Sequence, residues 1–129
     1  MNVRKTEAAF LDERGEIRDI LDGQEVNSLT ILTCNKGAVR GNHYHKITTQ
    51  FTYIISGKLK LFTQDSENAE IKTTVVNAGD LVTSPPLERH AFEALENSTI
   101  LAGCFGPRAG SQYETDTYRL EVPISGPKK

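Results

Sequence analysis

Short runs of β-branched and aromatic residues recur along the whole chain, separated by clusters of Gly, Asn, Asp and Pro, and helical periodicity is hard to find. The pattern predicts strands at 28–34, 50–55, 58–63, 70–76, 91–95 and 99–105, a later one at 117–122, and short early ones near Phe10 and Ile17. Many short strands in one small chain point to an all-β sandwich or jelly roll. Ser56-Gly57 fills a two-residue gap between "FTYII" and "KLKLF", which predicts a tight hairpin. Asn77-Ala78-Gly79-Asp80 reads as another turn. Pro85 and Pro86 cannot donate ladder hydrogen bonds, so they should end a strand.

The run 50–55 carries bulk on both parities, Phe51, Tyr53 and Ile55 against Gln50, Thr52 and Ile54, and 99–105 repeats this. Strands that are apolar on both faces are covered on both. A second subunit is the expected cover, hence a homodimer built on sheet faces. The end of the chain, 124–129, reads as a loose tail.

Composition narrows the picture. With 129 residues, 37% apolar and 25% charged, the chain fits one domain, 1–129. A net charge of −2 provides no basic field for nucleic acid or an anionic membrane. No stretch reaches the length of a membrane span, and the start, Met1 to Glu7, lacks the apolar core of a secretion signal, so the expected location is cytoplasmic. Cys34 and Cys104 have no CxxC spacing and read as reduced thiols acting as small apolar residues.

The three histidines are His43, His45 and His90. Residues i and i+2 of a strand share a face, so His43 and His45 can present their imidazoles to one point, as two ligands of one metal must. Gln50 lies an odd number of residues from His45, so reaching the same point demands a bend across 46–49. Arg40, also at odd spacing from His43, reaches that face only if the chain bends at Gly41; it could then hold a phosphate or carboxylate bidentately. Tyr44 should point away from the histidines and Tyr53 should pack. Lys46 and Arg108 read as solvated.

The glycine spacing around the histidines resembles the cupin family. "GAVRGNHYHKITTQFTYIISG", residues 37–57, matches its first motif, and "GDLVTSPPLERHAFEA", residues 79–94, matches its second. The resemblance implies a cupin jelly-roll barrel with His43, His45, Gln50 and His90 around a divalent metal, for which Mn, Fe, Co, Ni, Cu and Zn all suit the donors. Gln50 stands where the family usually has Glu, and neutral ligands would leave the ion its full charge, favouring an anionic or enolate-like ligand. Leu87 and Ala94 replace the usual second-motif Gly and Asn, which touches turn geometry rather than ligation.

Two branches of the superfamily are similar in more detail. Sugar-nucleotide 3,4-ketoisomerases resemble this chain in Asp12-Glu13-Arg14-Gly15 and in Arg40-Gly41-Asn42-His43-Tyr44-His45-Lys46 with Gln50 following. Their paired histidines act without metal, and they lack the counterpart of His90. "RGNHYH" is also similar to the cupin domain of bifunctional capsule-sugar enzymes, whose site holds a metal. The expected activity is therefore an isomerase or epimerase acting on a small-molecule keto-sugar or sugar nucleotide by metal-assisted proton abstraction. If all three imidazoles are ligands, the base is left to metal-bound hydroxide or a carboxylate such as Glu88 or Glu93. A cupin-type metal-dependent dioxygenase and a non-catalytic sugar- or effector-binding module are the alternatives, since one scaffold carries many activities.

Overall fold

A computed structural model describes residues 1–107 and 114–125. Twelve strands follow one another, with no helix among the described residues: β1 (Asn2–Lys5), β2 (Ala8–Asp12), β3 (Gly15–Arg18), β4 (Ser28–Cys34), β5 (Val39–Tyr44), β6 (Thr49–Ser56), β7 (Lys58–Gln64), β8 (Ile71–Asn77), β9 (Asp80–Ser84), β10 (Arg89–Ala94), β11 (Ser98–Phe105) and β12 (Tyr118–Arg119). They form two five-stranded antiparallel sheets, ordered β1-β9-β6-β11-β4 and β12-β5-β10-β7-β8, with β2 and β3 as a separate hairpin. The chain crosses between the two sheets at nearly every connection, which is the topology of a cupin jelly roll.

One such crossing corrects an expectation from sequence. Ser56-Gly57 does not close a hairpin, because β6 belongs to the first sheet and β7 to the second. Gly57 sits at φ +97, and a Cβ there would stand 2.6 Å from Ser98 Cα. The glycine lets the chain turn a corner against β11, a strand distant in sequence. Pro85 and Pro86 follow the end of β9, and the turn at 78–79 joins β8 to β9, both as expected.

The core lies between the sheets. Ile54 from the first sheet and Leu59, Leu61 and Val76 from the second are fully buried together with Val82. Side chains of this kind contribute about 1.5–3 kcal/mol each when removed from water. The other face of the first sheet is covered in part by the chain itself: Phe51 is only 7% exposed, and residues 18–26 lie along it. Leu29, Ile31 and Ile55 remain exposed there. Cys34 and Cys104 pair with Ser98 and Ser28 at opposite ends of the β4–β11 ladder, too far apart for a disulfide.

The expected tail is shorter than the sequence suggests. Ile124 is buried, its N–H donates to Asn42 Oδ1 at 2.9 Å, and Asn42 Nδ2 donates to Ser125 Oγ at 2.8 Å. Residues 126–129 of that tail, like Arg108, lie outside the described residues. The strand expected at 117–122 contracts to the two residues of β12, which pair with His43 and Tyr44.

Candidate active site

β5 and β10 bring the histidines together. His43 and His90 are directly opposed across the ladder, with His45 just past the end of β5. The ring centroids stand 4.9 Å apart for His43–His45, 4.8 Å for His43–His90 and 5.4 Å for His45–His90. One nitrogen from each lies within 4.8 Å of the others. His45 and His90 are buried, and His43 is partly open.

A bulge in β5 sets the register of this site. His90 and Ala91 are consecutive on β10, yet their partners are His43 and Gly41, so Asn42 is the extra residue. Gly41 at φ +98 and Asn42 at φ +58 absorb it; these are residue types that tolerate left-handed backbone. The parity count therefore slips by one. Arg40 pairs with Phe92 and lines the same cavity as His43, as the bend at Gly41 was expected to allow. Arg40 Nη2 donates to the Thr33 carbonyl at 2.9 Å, which holds it at the cavity mouth.

The cavity lies between the sheets and is walled by His43, His90, Gln50, Thr52 and Arg40 on its polar side and by Leu32, Phe92, Ile100 and Ala102 on its apolar side. Gln50 arrives from the first sheet, because the chain bends at Lys46 and Ile47 between β5 and β6. Gln50 Nε2 donates to Thr52 Oγ1 at 3.1 Å, turning the amide carbonyl into the end with ligand chemistry. Tyr44 points away, as parity requires: it stacks on Tyr118 at 5.4 Å, with the Arg89 guanidinium 4.4 Å from its ring. Lys46 lies 4.3 Å over Tyr118 on the same outer surface.

Neither expected carboxylate reaches the cavity. Glu93 is three residues from His90 on β10 and so shares the outer face with Ala91, opposite His90 and Phe92. Glu88 is buried in the turn before β10, but its Oε2 pairs with the Met1 ammonium at 3.3 Å. Burial pushes the Glu88 carboxyl above its ordinary value, against the pull of that ammonium. Arg14 is not in the described lining of the cavity either. It forks onto Asp12 at the tip of the β2–β3 hairpin, so Asp12-Glu13-Arg14-Gly15 serves as turn structure within this chain.

One residue at the site escapes the sequence reading altogether. Asp116 accepts His45 Nδ1 on its backbone carbonyl at 2.9 Å. Its carboxylate accepts the backbone N–H groups of Lys46 at 2.9 Å, Ile47 at 2.9 Å and Thr48 at 2.8 Å. Burial alone would raise this carboxyl, but those donors, from Ile47, Thr48 and Lys46, bring it below its ordinary value. Nothing in the polar tract around Asp116 marks it out; only the fold brings it beside His45.

The donor set suits a divalent ion. Three imidazoles and an amide carbonyl are ligands that Mn, Fe, Co, Ni, Cu and Zn accept. Two nitrogens bound to one ion at ~2.1 Å stand ~3.4 Å apart at a tetrahedral angle. The three imidazole nitrogens lie within 4.8 Å of one another, a looser spacing than a bound ion would impose.

A barrel of this topology, with paired and opposed histidines in its interior, has the cupin fold. The polysaccharide biosynthesis C-terminal domain family model matches residues 10–118, and the chain belongs to that family. No curated protein matches it. Among solved structures it is similar to QdtA, a sugar 3,4-ketoisomerase from Thermoanaerobacterium thermosaccharolyticum in complex with TDP. That match has a TM-score of 0.74 and 19% identity, covering 93% of this chain and 88% of that one. It also resembles dTDP-4-dehydrorhamnose 3,5-epimerase from Sulfolobus tokodaii, with a TM-score of 0.66 and 21% identity over 75% of this chain; it spans 65% of that enzyme's length. CapF with the inhibitor 3-isopropenyl-tropolone matches with a TM-score of 0.63 and 22% identity, over 91% of this chain and 34% of that one. These likenesses establish the fold. Among the described residues, no helix is long and apolar enough to cross a membrane.

Proposed function

We propose that the protein is an isomerase or epimerase that moves a proton at the α-carbon of a keto-sugar or sugar nucleotide. The reading rests on one observation: two imidazoles, His43 and His90, one amide and one guanidinium line a single interior cavity whose described lining contains no acid, and the third imidazole, His45, offers a nitrogen within 4.8 Å of the other two. An uncharged wall with Arg40 at its mouth suits an anionic substrate, the guanidinium holding a phosphate or carboxylate and the amide of Gln50 meeting a sugar oxygen. The apolar side, Phe92, Ile100 and Leu32, excludes water from the reacting carbon.

The base is an imidazole. With Glu88 and Glu93 outside the cavity, its remaining polar residues, Arg40, Gln50 and Thr52, offer no proton acceptor at neutral pH. His43 lines the cavity and retains exposure, so it is the group placed to take the α-proton and return it on the neighbouring carbon or the opposite face.

We further propose that His43, His45, His90 and Gln50 are able to hold a divalent ion. Such an ion would polarise the substrate carbonyl and stabilise the charge that develops on its oxygen. Metal ligation and proton abstraction then compete for His43. Elemental analysis of the purified protein and of His90→Ala decides between them: stoichiometric metal lost in the variant supports the ligand set, and metal retained by the variant excludes His90 from it. For the reaction itself, α-hydrogen exchange of keto-sugars and nucleotide-linked keto-sugars in deuterated solvent is the expected signal. Calorimetric binding of the same compounds without exchange would make the protein a ligand-binding module instead, and oxygen uptake would make it a dioxygenase. The apolar remainder of the first sheet, Leu29, Ile31 and Ile55, supports a homodimer joined on that face.

A further inference from the structure

We propose that Asp116 is a positioning residue for the histidine cluster. On this proposal, its backbone carbonyl fixes the tautomer of His45, and its carboxylate fixes the bend that places Gln50. Both halves of the proposal follow from hydrogen bonds of ordinary length.

A carbonyl oxygen can only accept. The 2.9 Å contact from His45 Nδ1 to the Asp116 carbonyl therefore places the proton on Nδ1, and the lone pair of the neutral ring on Nε2. Nε2 is thus the atom that His45 offers to an ion or to a proton, and its direction is set by a ring held at its other nitrogen.

The carboxylate does a different job. Three successive backbone N–H groups, those of residues 46, 47 and 48, point at it. Such a concavity is an anion nest, and here the anion is supplied by the chain itself. The nest is the same bend by which the backbone leaves β5 in one sheet and enters β6 in the other, so its curvature sets where Gln50 stands relative to His45. Asp116 adopts φ +57, which Asp and Asn tolerate better than other residues.

The neighbouring residues brace this clasp. Tyr118 stacks on Tyr44, the residue between the two histidines, and Leu120 N–H donates to the Asn42 carbonyl at 2.9 Å, at the bulge that aligns Arg40. The clasp is thus tied to β5 on both sides of His43.

The test uses the full chain after treatment with a chelator and reads the ring nitrogens of His45 by NMR. Only its kinetic arm depends on the proposed reaction. The wild type should show His45 as the Nδ1–H tautomer, with slowly exchanging amides at Lys46, Ile47 and Thr48. Asp116→Asn keeps the left-handed backbone but turns an amino group toward a donor-lined nest. It should speed exchange of those three amides at least tenfold while core amides stay protected. Asp116→Ala should go further and blur the His45 tautomer. With an exchangeable keto-sugar, kcat should fall about 10–100-fold in Asp116→Ala with KM little changed, and Asp116→Asn should recover part of the loss. An Nε2–H tautomer in the wild type overturns the proposal, as do unchanged His45 signals and unchanged bend amides in both variants. If Asp116→Ala fails to fold, the wild-type tautomer and the Asp116→Asn exchange rates decide. Intact NMR behaviour with no turnover of any sugar would overturn the reaction and leave the positioning role standing.

Discussion

Replacing Gly41 with Ala tests the bulge that builds the site. The wild-type backbone there has φ +98, a conformation that costs an L-residue about 1–2 kcal/mol. The added methyl would stand 2.7 Å from the His90 carbonyl oxygen and 3.0 Å from Ala91 Cα. Both are backbone atoms of the paired strand, so no side chain can swing aside; forcing β5 from β10 costs about 1–3 kcal/mol. Together the two effects come to about 2–5 kcal/mol, a large share of a typical domain's stability of roughly 5–15 kcal/mol. Gly23→Ala is the matched control. Gly23 also has positive φ, +72, but nothing lies within 4 Å of its Cβ position, so it should lose only the backbone part. Urea unfolding followed by far-UV circular dichroism measures both. Gly41→Ala should be the less stable by at least about 1 kcal/mol, and calorimetry should show weakened binding of an anionic sugar ligand, because a flattened bulge turns Arg40 away from His43. Equal losses in the two variants would refute the account of the bulge.

Two further outcomes are expected. Leu87 holds φ +76 while its side chain is 52% exposed, so Leu87→Gly should relieve more backbone strain than it adds in unfolded-chain entropy. The thermal midpoint should rise by the equivalent of about 0.5–1 kcal/mol, and a lower midpoint would contradict strain at that turn. Ile31→Lys changes a residue 58% exposed on the outer face of an edge strand, so it should leave monomer stability within about 0.5 kcal/mol while halving the mass measured by light scattering. A wild-type protein that is already monomeric at micromolar concentration would remove the dimer.

The long alternating runs were legible from sequence because each pairs a buried parity with a partner across the barrel. β4, β6, β7, β8, β10 and β11 all lie within a residue or two of where the pattern places them. β1, "NVRK", is too short and polar to stand out, and β9, "DLVTS", hides behind the turn that precedes it. Sheet membership was not legible at Ser56-Gly57, since a two-residue gap suits a hairpin and a corner alike. The backbone of Ser98, supplied by a distant strand, decides it. The cupin motif spacing brought His43, His45, Gln50 and His90 into view, and all four prove to lie in one region of the barrel. Glu93 could have been set aside by parity alone, being three residues from His90. Arg40 obeys parity only after Asn42 is counted as an extra residue, and Gly41-Asn42 is the visible trace of that extra residue. Asp116 left no trace, because its partners are 68 to 71 residues away.

That separation makes the order of structural loss unusual. His45 is held at one nitrogen by a segment whose only strand among the described residues is two residues long, at the margin of its sheet. Short marginal strands open before a packed interior does. Warming should therefore spoil the histidine geometry while the rest of the barrel still gives a native spectrum, so heat inactivation would precede melting rather than accompany it.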